Sequence, residues 1–457
     1  MFSPSELQFL TPSLSVTHTH THTHTQAQQL FSRLGVQPVP NLTDYEVGIA
    51  VNLVDTRVLS TDWDSIGGLD SIIEELQESV IQPFQQVALL PFPSRLLKPP
   101  KGVLLFGPPG CGKTMLARAM ARAANAYFIN LQFLTPSLSV THTHTHTHTQ
   151  AQQLFSRLGV QPVPNLTDYE VGIAVNLVDT RVLSTDWDSI GGLDSIIEEL
   201  QESVIQPFQQ VALLPFPSRL LKPPKGVLLF GPPGCGKTML ARAMARAANA
   251  YFINLQISTL VNMWYGETQK YVEATFSLAY KLQPSIIFID ELDSFLTTRS
   301  YTDNESTRMI KTQFMALWDG LLTDDQSRIL IVGATNRPDD LDQAILRRLP
   351  YKVSVPMPNQ DQRVEILSVC LHGEPLALGL GQNDLREIAS RTDGLSGSEL
   401  HELCREAAFC CYRQEKNREI AENIRLKREH FFRALRKFQN NRVGIRPRPT
   451  EHPMPLD

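Results

Sequence analysis

The chain has 457 residues, a formal net charge of −5 and a hydrophobic content of 42%. This weakly acidic balance gives no reason to expect the basic surface that nucleic-acid binding usually requires, so no nucleic-acid partner is expected. The six cysteines form no CxxC pair, which is typical of a reduced, intracellular chain rather than of a disulfide framework.

The N-terminal half of the chain contains an exact internal repeat. Residues 7–132 recur letter for letter as residues 131–256, and we call these segments copy one and copy two. The first glycines of their GPPGCGKT loops, Gly107 and Gly231, lie 231 − 107 = 124 residues apart. The repeat breaks off in mid-domain, unlike the self-contained units of a solenoid. This favours a recent tandem duplication of coding sequence, or a gene-model error, over a selected two-site design.

Each copy also carries the tract THTHTHTHT, at residues 17–25 and 141–149. Alternating histidines can bind metal, but nothing nearby supplies carboxylates or thiols to complete a defined site. We therefore interpret residues 131–165 as a low-complexity linker. Residues 1–130 are interpreted as a partial copy that does not fold independently.

From residue 166 onwards, short apolar runs alternate with helical stretches. Residues 166–179 and 195–206 have the periodicity of amphipathic helices. Five later runs have the length and branched side chains of strands buried on both faces, namely 226–230, 251–255, 285–290, 328–335 and 351–356. The alternation predicts an α/β domain at residues 166–358, with a parallel five-stranded sheet flanked by helices.

The strand signal stops after residue 360, and four helical segments follow. They are residues 361–371, 384–391, 398–413 and 427–438. This pattern predicts a small all-helical domain at residues 359–446. The last residues, 447–457, are predicted to be a disordered tail.

In copy two, the loop GPPGCGKT follows a predicted strand and opens a predicted helix. Glycines let successive backbone N–H groups face a phosphate, and the helix N-terminus adds positive potential. Lys237 is expected to hold the β- and γ-phosphates of ATP, and Thr238 to ligate Mg²⁺. The predicted nucleotide site consists of Gly231, Pro232, Pro233, Gly234, Cys235, Gly236, Lys237 and Thr238.

Two carboxylates follow the buried run SIIFI at residues 285–289. In an open parallel sheet, ligands bind at the carboxyl ends of the strands. Asp290 is therefore expected to hold Mg²⁺ through water, and Glu291 to orient and deprotonate the attacking water. A metal would offset the cost of placing two ionised groups together. Because these acids occur once, the sequence predicts one hydrolytic site per chain.

Three further groups of residues suggest contacts with nucleotide or polypeptide. Asn336, at the end of the next predicted strand, is expected to hydrogen-bond the γ-phosphate or the attacking water. Arg347 and Arg348 are either a solvated basic pair or, in a ring, residues that reach the next subunit's nucleotide. Trp264 and Tyr265 either pack into the core or grip an unfolded polypeptide.

Together these motifs resemble the AAA family of ATPases over residues 166–446. The matching segments are GPPGCGKT, IDELDS, GATNRP and GLSGSEL. Within that family, KLQPSIIFIDELDSFL and WYGETQK are similar to the outer-mitochondrial-membrane protein translocases, called thorase in animals. The resemblance implies an AAA-type sheet followed by a helical lid, ATP and Mg²⁺ as cofactors, and a homo-hexameric ring.

The resemblance also implies roles for individual residues. Trp264 and Tyr265 match the first pore loop and Tyr301 falls in the second, so these residues are expected to contact the polypeptide. Asn336 matches the sensor residue. Arg347 and Arg348 match the family's trans-acting arginines. The residues expected to contact the adenine are Ile190, Gly192, Gly397 and Ser398.

The implied function is extraction of mislocalised tail-anchored or misfolded membrane proteins from the mitochondrial outer membrane, with threading through a hexamer pore. Two alternatives stay open, namely a microtubule-severing relative and a non-hydrolysing regulatory ring subunit. The resemblance places the motor on that membrane, facing the cytosol. Family members carry an N-terminal transmembrane helix, but no apolar run here approaches the ~20 residues required. Without an anchor, a cytosolic location is expected.

Overall fold

The computed structural model describes residues 53–54, 62–86, 96, 100–108, 110–129, 166–174, 177–178, 180, 185–210, 223–255, 267–294, 305–323, 327–374, 380–415 and 425–443. The chain divides into two compact units, Met1–Val140 and Thr141–Asp457. In these described ranges, no helix combines the length and apolar character needed to cross a bilayer.

Eight strands are present in the described residues. They are β1 (Leu53–Val54), β2 (Phe128–Ile129), β3 (Leu177–Val178), β4 (Gly226–Phe230), β5 (Tyr251–Leu255), β6 (Ser285–Ile289), β7 (Ile329–Thr335) and β8 (Tyr351–Ser354). The second unit contains a six-stranded sheet in the order β3–β5–β6–β7–β4–β8. All pairings among β4 to β8 are parallel, which confirms the predicted parallel sheet. Consecutive strands β4 and β5 are separated by β6 and β7, so the sheet needs residues from both sides of the repeat boundary.

The edge of this sheet differs from the expectation. The helix expected at residues 166–179 is Asp168–Ala174, and Leu177–Val178 then forms β3, antiparallel to β5. The sheet therefore has a sixth strand beyond the five predicted. Without β3, the outer side of β5 would be an open edge of unpaired backbone groups. This pairing joins segments more than 70 residues apart (Leu177 with Ile253), so local periodicity does not detect it.

Two apolar clusters account for the near-continuous apolar runs of the strands. One contains Ile253, Ile287 and Ile331 together with the helical residues Phe314 and Trp318. The other contains the alternate strand residues Val227, Leu229, Phe252, Phe288 and Val332. Because successive strand residues point to opposite faces, both faces of the sheet are buried.

Helices cover the two faces of the sheet. In chain order they are Asp168–Ala174, Asp194–Leu200 with its π-helical continuation Gln201–Ile205, Gln206–Gln210, Lys237–Ala247, Glu267–Lys281, Glu305–Thr323 and Gln343–Arg348. Short 3₁₀ turns lie at Trp187–Ser189, Leu292–Ser294 and Pro338–Asp340. This alternation of strand and helix confirms the α/β architecture.

The first of these helices is anchored by a buried carboxylate. Glu170 is 1% exposed and accepts hydrogen bonds from Lys281 Nζ at 2.8 Å, Ser277 Oγ at 2.8 Å and the Thr167 amide at 2.7 Å. Burial opposes ionisation of Glu170, but these hydrogen bonds outweigh it and lower its pKa. The ion pair therefore ties the helix Asp168–Ala174 to the helix Glu267–Lys281.

The predicted helical domain is confirmed as four helices. They are Gln360–Leu371, Gln382–Ser390, Gly397–Glu415 and Arg428–Val443. The first begins with a reciprocal capping box, in which Asn359 Oδ1 accepts from the Gln362 amide and Gln362 Oε1 accepts from the Asn359 amide. The exact boundaries of the domains along the chain stay predictions.

The first unit repeats the local structure of the second but not its sheet. Its strands β1 and β2 pair antiparallel. Its helical elements, in chain order, are the 3₁₀ turn Trp63–Ser65, the helix Asp70–Leu76 with its π-helical continuation Gln77–Ile81, the helix Gln82–Gln86 and the helix Lys113–Ala123. Residues 102–106 have the sequence of β4 but form no strand. Leu104 is 80% exposed, whereas its counterpart Leu228 is 1% exposed. That residues 1–130 do not fold independently stays a prediction.

Candidate active site

The phosphate loop of copy two connects β4 to the helix Lys237–Ala247. Gly231, Gly234 and Gly236 have φ of 144°, 76° and 96°, a region that side chains disfavour. A Cβ on Gly231 would lie 2.1 Å from the Val355 carbonyl oxygen, so glycine is also required by the close approach of the chain after β8. The loop can therefore turn its backbone amides towards one ligand at a helix N-terminus.

Lys237 lies along this loop. Its Nζ donates hydrogen bonds of 2.8 Å to the carbonyl oxygens of Gly231 and Pro232, and the residue is 7% exposed. Burial lowers the pKa of the Lys237 ammonium, and the Cys235 thiol and the Asp290 carboxylate oppose that shift. A buried ammonium is stabilised by an opposite charge, so this position suits an anionic phosphate.

Two oxygen side chains meet where the loop approaches the end of β6. Thr238 Oγ1 donates a hydrogen bond of 3.0 Å to Asp290 Oδ2. Hydroxyl and carboxylate oxygens, completed by water and phosphate, are the ligands that Mg²⁺ prefers, so this pair fits the expected metal. In the described ranges, no cluster of three or more His, Cys, Asp or Glu side chains forms a metal site of its own.

Glu291 follows in an unusual backbone conformation. Its φ is 52°, in the left-handed region, where a non-glycine residue costs about 1–2 kcal/mol. The turn is held by the Glu291 amide, which donates to Asp290 Oδ1 at 2.9 Å, and by the Ser294 amide, which donates to the Glu291 carbonyl oxygen at 2.8 Å. Glu291 is exposed beside the exposed Asp290.

Asn336 lies at the end of β7, the strand next to β6. Thr335 Oγ1 donates to Asp293 Oδ1 at 2.7 Å and accepts from the Arg337 amide at 3.0 Å. These bonds fix the backbone on both sides of Asn336 and leave its side chain exposed. The structure thus brings Lys237, Thr238, Asp290, Glu291 and Asn336 to the same edge of the sheet.

The two arginines differ in their surroundings. Arg347 is exposed. Arg348 is held by Asp319 through two parallel hydrogen bonds, from Nε at 2.7 Å and from Nη2 at 2.6 Å. These bonds lower the pKa of Asp319 and raise that of Arg348. Sequence reasoning missed Asp319, because the pair joins separate helices and leaves no periodic signal.

The helical domain closes over the loop from the other side. The Ser398 amide donates to the Gly234 carbonyl oxygen at 3.0 Å, and a Cβ on Gly234 would lie 2.2 Å from Ser398 Oγ. Gly397 lies beside the same carbonyl oxygen. Sequence reasoning missed Ser396 and Glu399, whose side chains hydrogen-bond at 2.8 Å, although the S-x-x-E spacing is typical of a helix start.

The segment expected to line the adenine contacts the first lid helix. Ile190 and Gly192 are buried, and a Cβ on Gly192 would lie 2.8 Å from Gln362 Cβ. The segment therefore packs against the helix Gln360–Leu371. Trp264, Tyr265 and Tyr301 lie outside the described residues, so their expected contacts stay predictions.

The loop of copy one has the same local geometry. Gly107, Gly110 and Gly112 have φ of 146°, 83° and 83°, and Lys113 Nζ donates to the carbonyl oxygen of Gly107 at 2.9 Å and to that of Pro108 at 2.6 Å. The repeat ends before the acids, so copy one brings no counterpart of Asp290 or Glu291 with it.

Comparison with protein families gives matches to both domains. Residues 103–161 and 227–357 match the model described as "ATPase family associated with various cellular activities (AAA)", and residues 383–425 match the "AAA+ lid domain".

Curated relatives and a solved structure give the same result. The chain is 48% identical over 320 residues to "Outer mitochondrial transmembrane helix translocase" of Danio rerio, covering 69% of this chain and 83% of that protein. It is 49% identical over 267 residues to the Homo sapiens protein of the same name, covering 58% and 73%. It is 45% identical over 294 residues to "Mitochondrial sorting homolog" of Caenorhabditis elegans, covering 64% and 83%. The crystal structure of the FIGL-1 AAA domain is similar, with a TM-score of 0.52 and 34% identity, over 61% of this chain and 91% of that chain.

Proposed function

Because the chain belongs to the AAA family of ATPases, we propose that it uses the site of copy two to hydrolyse Mg-ATP and drive translocation of membrane proteins. ATPase activity follows from the family. The hydrogen bond between Thr238 and Asp290 supports assigning the chemistry to residues of copy two. That bond joins the phosphate loop to the acidic strand end, which is the arrangement that hydrolysis needs.

Each residue at this edge of the sheet has a role that its position supports. Lys237 and the loop amides would bind the β- and γ-phosphates, while Thr238 directly and Asp290 through water would hold Mg²⁺, which would neutralise phosphate charge. Glu291 accepts the proton of the attacking water as the water oxygen bonds to the γ-phosphorus and the bond from that phosphorus to the bridging oxygen breaks, which releases phosphate and ADP. Asn336 orients that water.

Ile190, Gly192, Gly397 and Ser398 are proposed to contact the nucleotide from the lid side. Lid residues already hydrogen-bond the loop, through Ser398 and Gly234. Loss of the γ-phosphate at the loop can therefore alter the lid position, which offers a route from hydrolysis to movement.

We further propose that the chain acts as a homo-hexamer on the mitochondrial outer membrane, facing the cytosol. Two relatives are named outer mitochondrial transmembrane helix translocases, and this supports transmembrane segments of tail-anchored or misfolded proteins as substrates. Trp264, Tyr265 and Tyr301 would grip the polypeptide in the pore. The exposed Arg347 would reach the next subunit's nucleotide, together with Arg348.

The test compares steady-state ATP hydrolysis with extraction of a tail-anchored protein from outer-membrane-like vesicles. Glu291→Gln should bind ATP and assemble normally but lose at least ~100-fold in turnover, because general-base catalysis contributes about that much. Extraction should fail in the same variant. Full turnover by Glu291→Gln would contradict the site, and hydrolysis without extraction would contradict the substrate class. Severing of added microtubules in the presence of ATP would instead favour the microtubule-severing alternative.

A further inference from the structure

We propose that the phosphate loop of copy one, residues 107–114, is a second nucleotide-binding site that becomes active when copy one replaces copy two in the sheet. The inference rests on the proposed function, since both arrangements use Asp290 and Glu291. In that alternative arrangement of the same chain, the described strand sequence of copy one, residues 102–106, occupies the place of β4 in the sheet.

Copy one already has the local structure that the exchange requires. The helix Lys113–Ala123 and the helix Lys237–Ala247 have the same length, and each is preceded by a glycine with positive φ. The lysine of each loop donates to the same two carbonyl oxygens of its own loop. The local structure therefore does not have to be rebuilt when copy one enters the sheet.

The missing part of copy one is a strand, and the second unit contains the place that fits it. β4 lies between β7 and β8, with Leu228 opposite Gly333 on one side and Lys352 on the other. Residues 102–106 have the identical sequence but form no strand, and Phe106 is 64% exposed. The occupant of the gap between β7 and β8 is therefore set by chain connectivity, because side-chain complementarity is the same for both copies.

The exchange conserves contacts, since the displaced copy two has the sequence of the copy that replaces it. The remaining difference is the loop: copy one must close an additional 124 residues before Ile257, taken from the spacing 231 − 107 of the two loop glycines. Loop-closure entropy grows as (3/2)RT ln n, so this loop disfavours the alternative arrangement by a factor of roughly 10³. About one chain in a thousand would then hydrolyse ATP with Lys113 in place of Lys237.

Two glycines distinguish the arrangements. A Cβ on Gly226 would lie 2.2 Å from the Arg348 carbonyl oxygen, whereas a Cβ on Gly102 has nothing within 4 Å. Valine favours strands, so Gly226→Val keeps the local propensity while it blocks copy two from the gap. Gly102→Val is the matched control, because it makes the same change in the copy that stands outside the sheet.

The experiment measures ATP turnover of the full chain, together with hydrogen exchange of the unique peptide Ile329–Thr335 of β7. We expect Gly102→Val to keep wild-type turnover, and Gly226→Val to keep at least a tenth of it with β7 still protected. Adding Lys113→Ala to Gly226→Val should abolish that turnover, whereas adding Lys237→Ala should leave it. The double variant Gly102→Val, Gly226→Val should lose both turnover and protection.

Two results overturn the proposal. One is loss of turnover in Gly226→Val while Gly102→Val remains active. The other is turnover in Gly226→Val that survives Lys113→Ala. Failure of the proposed function gives a different pattern, because wild type and Gly102→Val would then both lack turnover that depends on Glu291.

Discussion

Replacing Leu228 by alanine should destabilise the second unit, whereas the same change at Leu104 should not. The two leucines have identical sequence neighbours. Leu228 is 1% exposed, within β4, and Leu104 is 80% exposed. Truncating a buried leucine removes apolar contacts and leaves a cavity, which costs about 2–5 kcal/mol, while an exposed change is within about 0.5 kcal/mol.

The assay is urea unfolding of the full chain, monitored by hydrogen exchange of the peptide Ile329–Thr335. This peptide occurs once in the sequence, so it reports on the second unit. Leu228→Ala should lower the free energy of unfolding by roughly 3 kcal/mol. If copy one can enter the sheet, the loss has an upper bound of about 4 kcal/mol, set by closure of the 124-residue loop. Equal effects of Leu228→Ala and Leu104→Ala would refute the assignment of copy two to the sheet.

Three further changes have expected outcomes. Gly234→Ala should weaken binding of a fluorescent ATP analogue at least tenfold, because the added Cβ would lie 2.2 Å from Ser398 Oγ. Gly110→Ala is the control, since a Cβ on Gly110 has nothing within 4 Å. Equal affinities of the two variants would contradict the contact between the loop and the lid. Asp319→Asn should lower the free energy of unfolding in urea by at most about 1 kcal/mol, since the ion pair is partly exposed. It should also lower turnover of the assembled protein, because Arg348 loses the partner that holds its side chain in place. Unchanged turnover would contradict a role of Arg348 in hydrolysis. Glu170→Gln should destabilise the second unit by about 1–3 kcal/mol at pH 7. The folded-state pKa of Glu170 lies below its ordinary value of 4.5, so the carboxylate stabilises the fold above that pH and ceases to as the pH falls through the folded-state pKa. The difference in unfolding free energy between wild type and Glu170→Gln should therefore narrow as the pH falls below 4.5, and a constant difference would contradict the ion pair.

Much of the site was predictable because its signals are local. The loop glycines, Lys237 and the acids after β6 follow from short motifs next to buried strands, and parallel strands place their carboxyl ends at one edge. The φ of 52° at Glu291 was not predictable, because the turn depends on hydrogen bonds made after folding. The pair of Asp319 with Arg348 was missed for a related reason, since it joins two helices that only the fold brings together.

The repeat separates what sequence determines from what tertiary structure decides. In both copies, the same residues form the helices Asp70–Leu76 and Asp194–Leu200 and the positive-φ turns before Lys113 and Lys237. These elements depend on hydrogen bonds within a few residues, which identical sequences make identically. The strand sequence GVLLF behaves differently, because it forms β4 between β7 and β8 in copy two but no strand at residues 102–106. A strand forms its backbone hydrogen bonds with neighbouring strands that are distant in sequence, so only the tertiary structure decides which copy becomes part of the sheet.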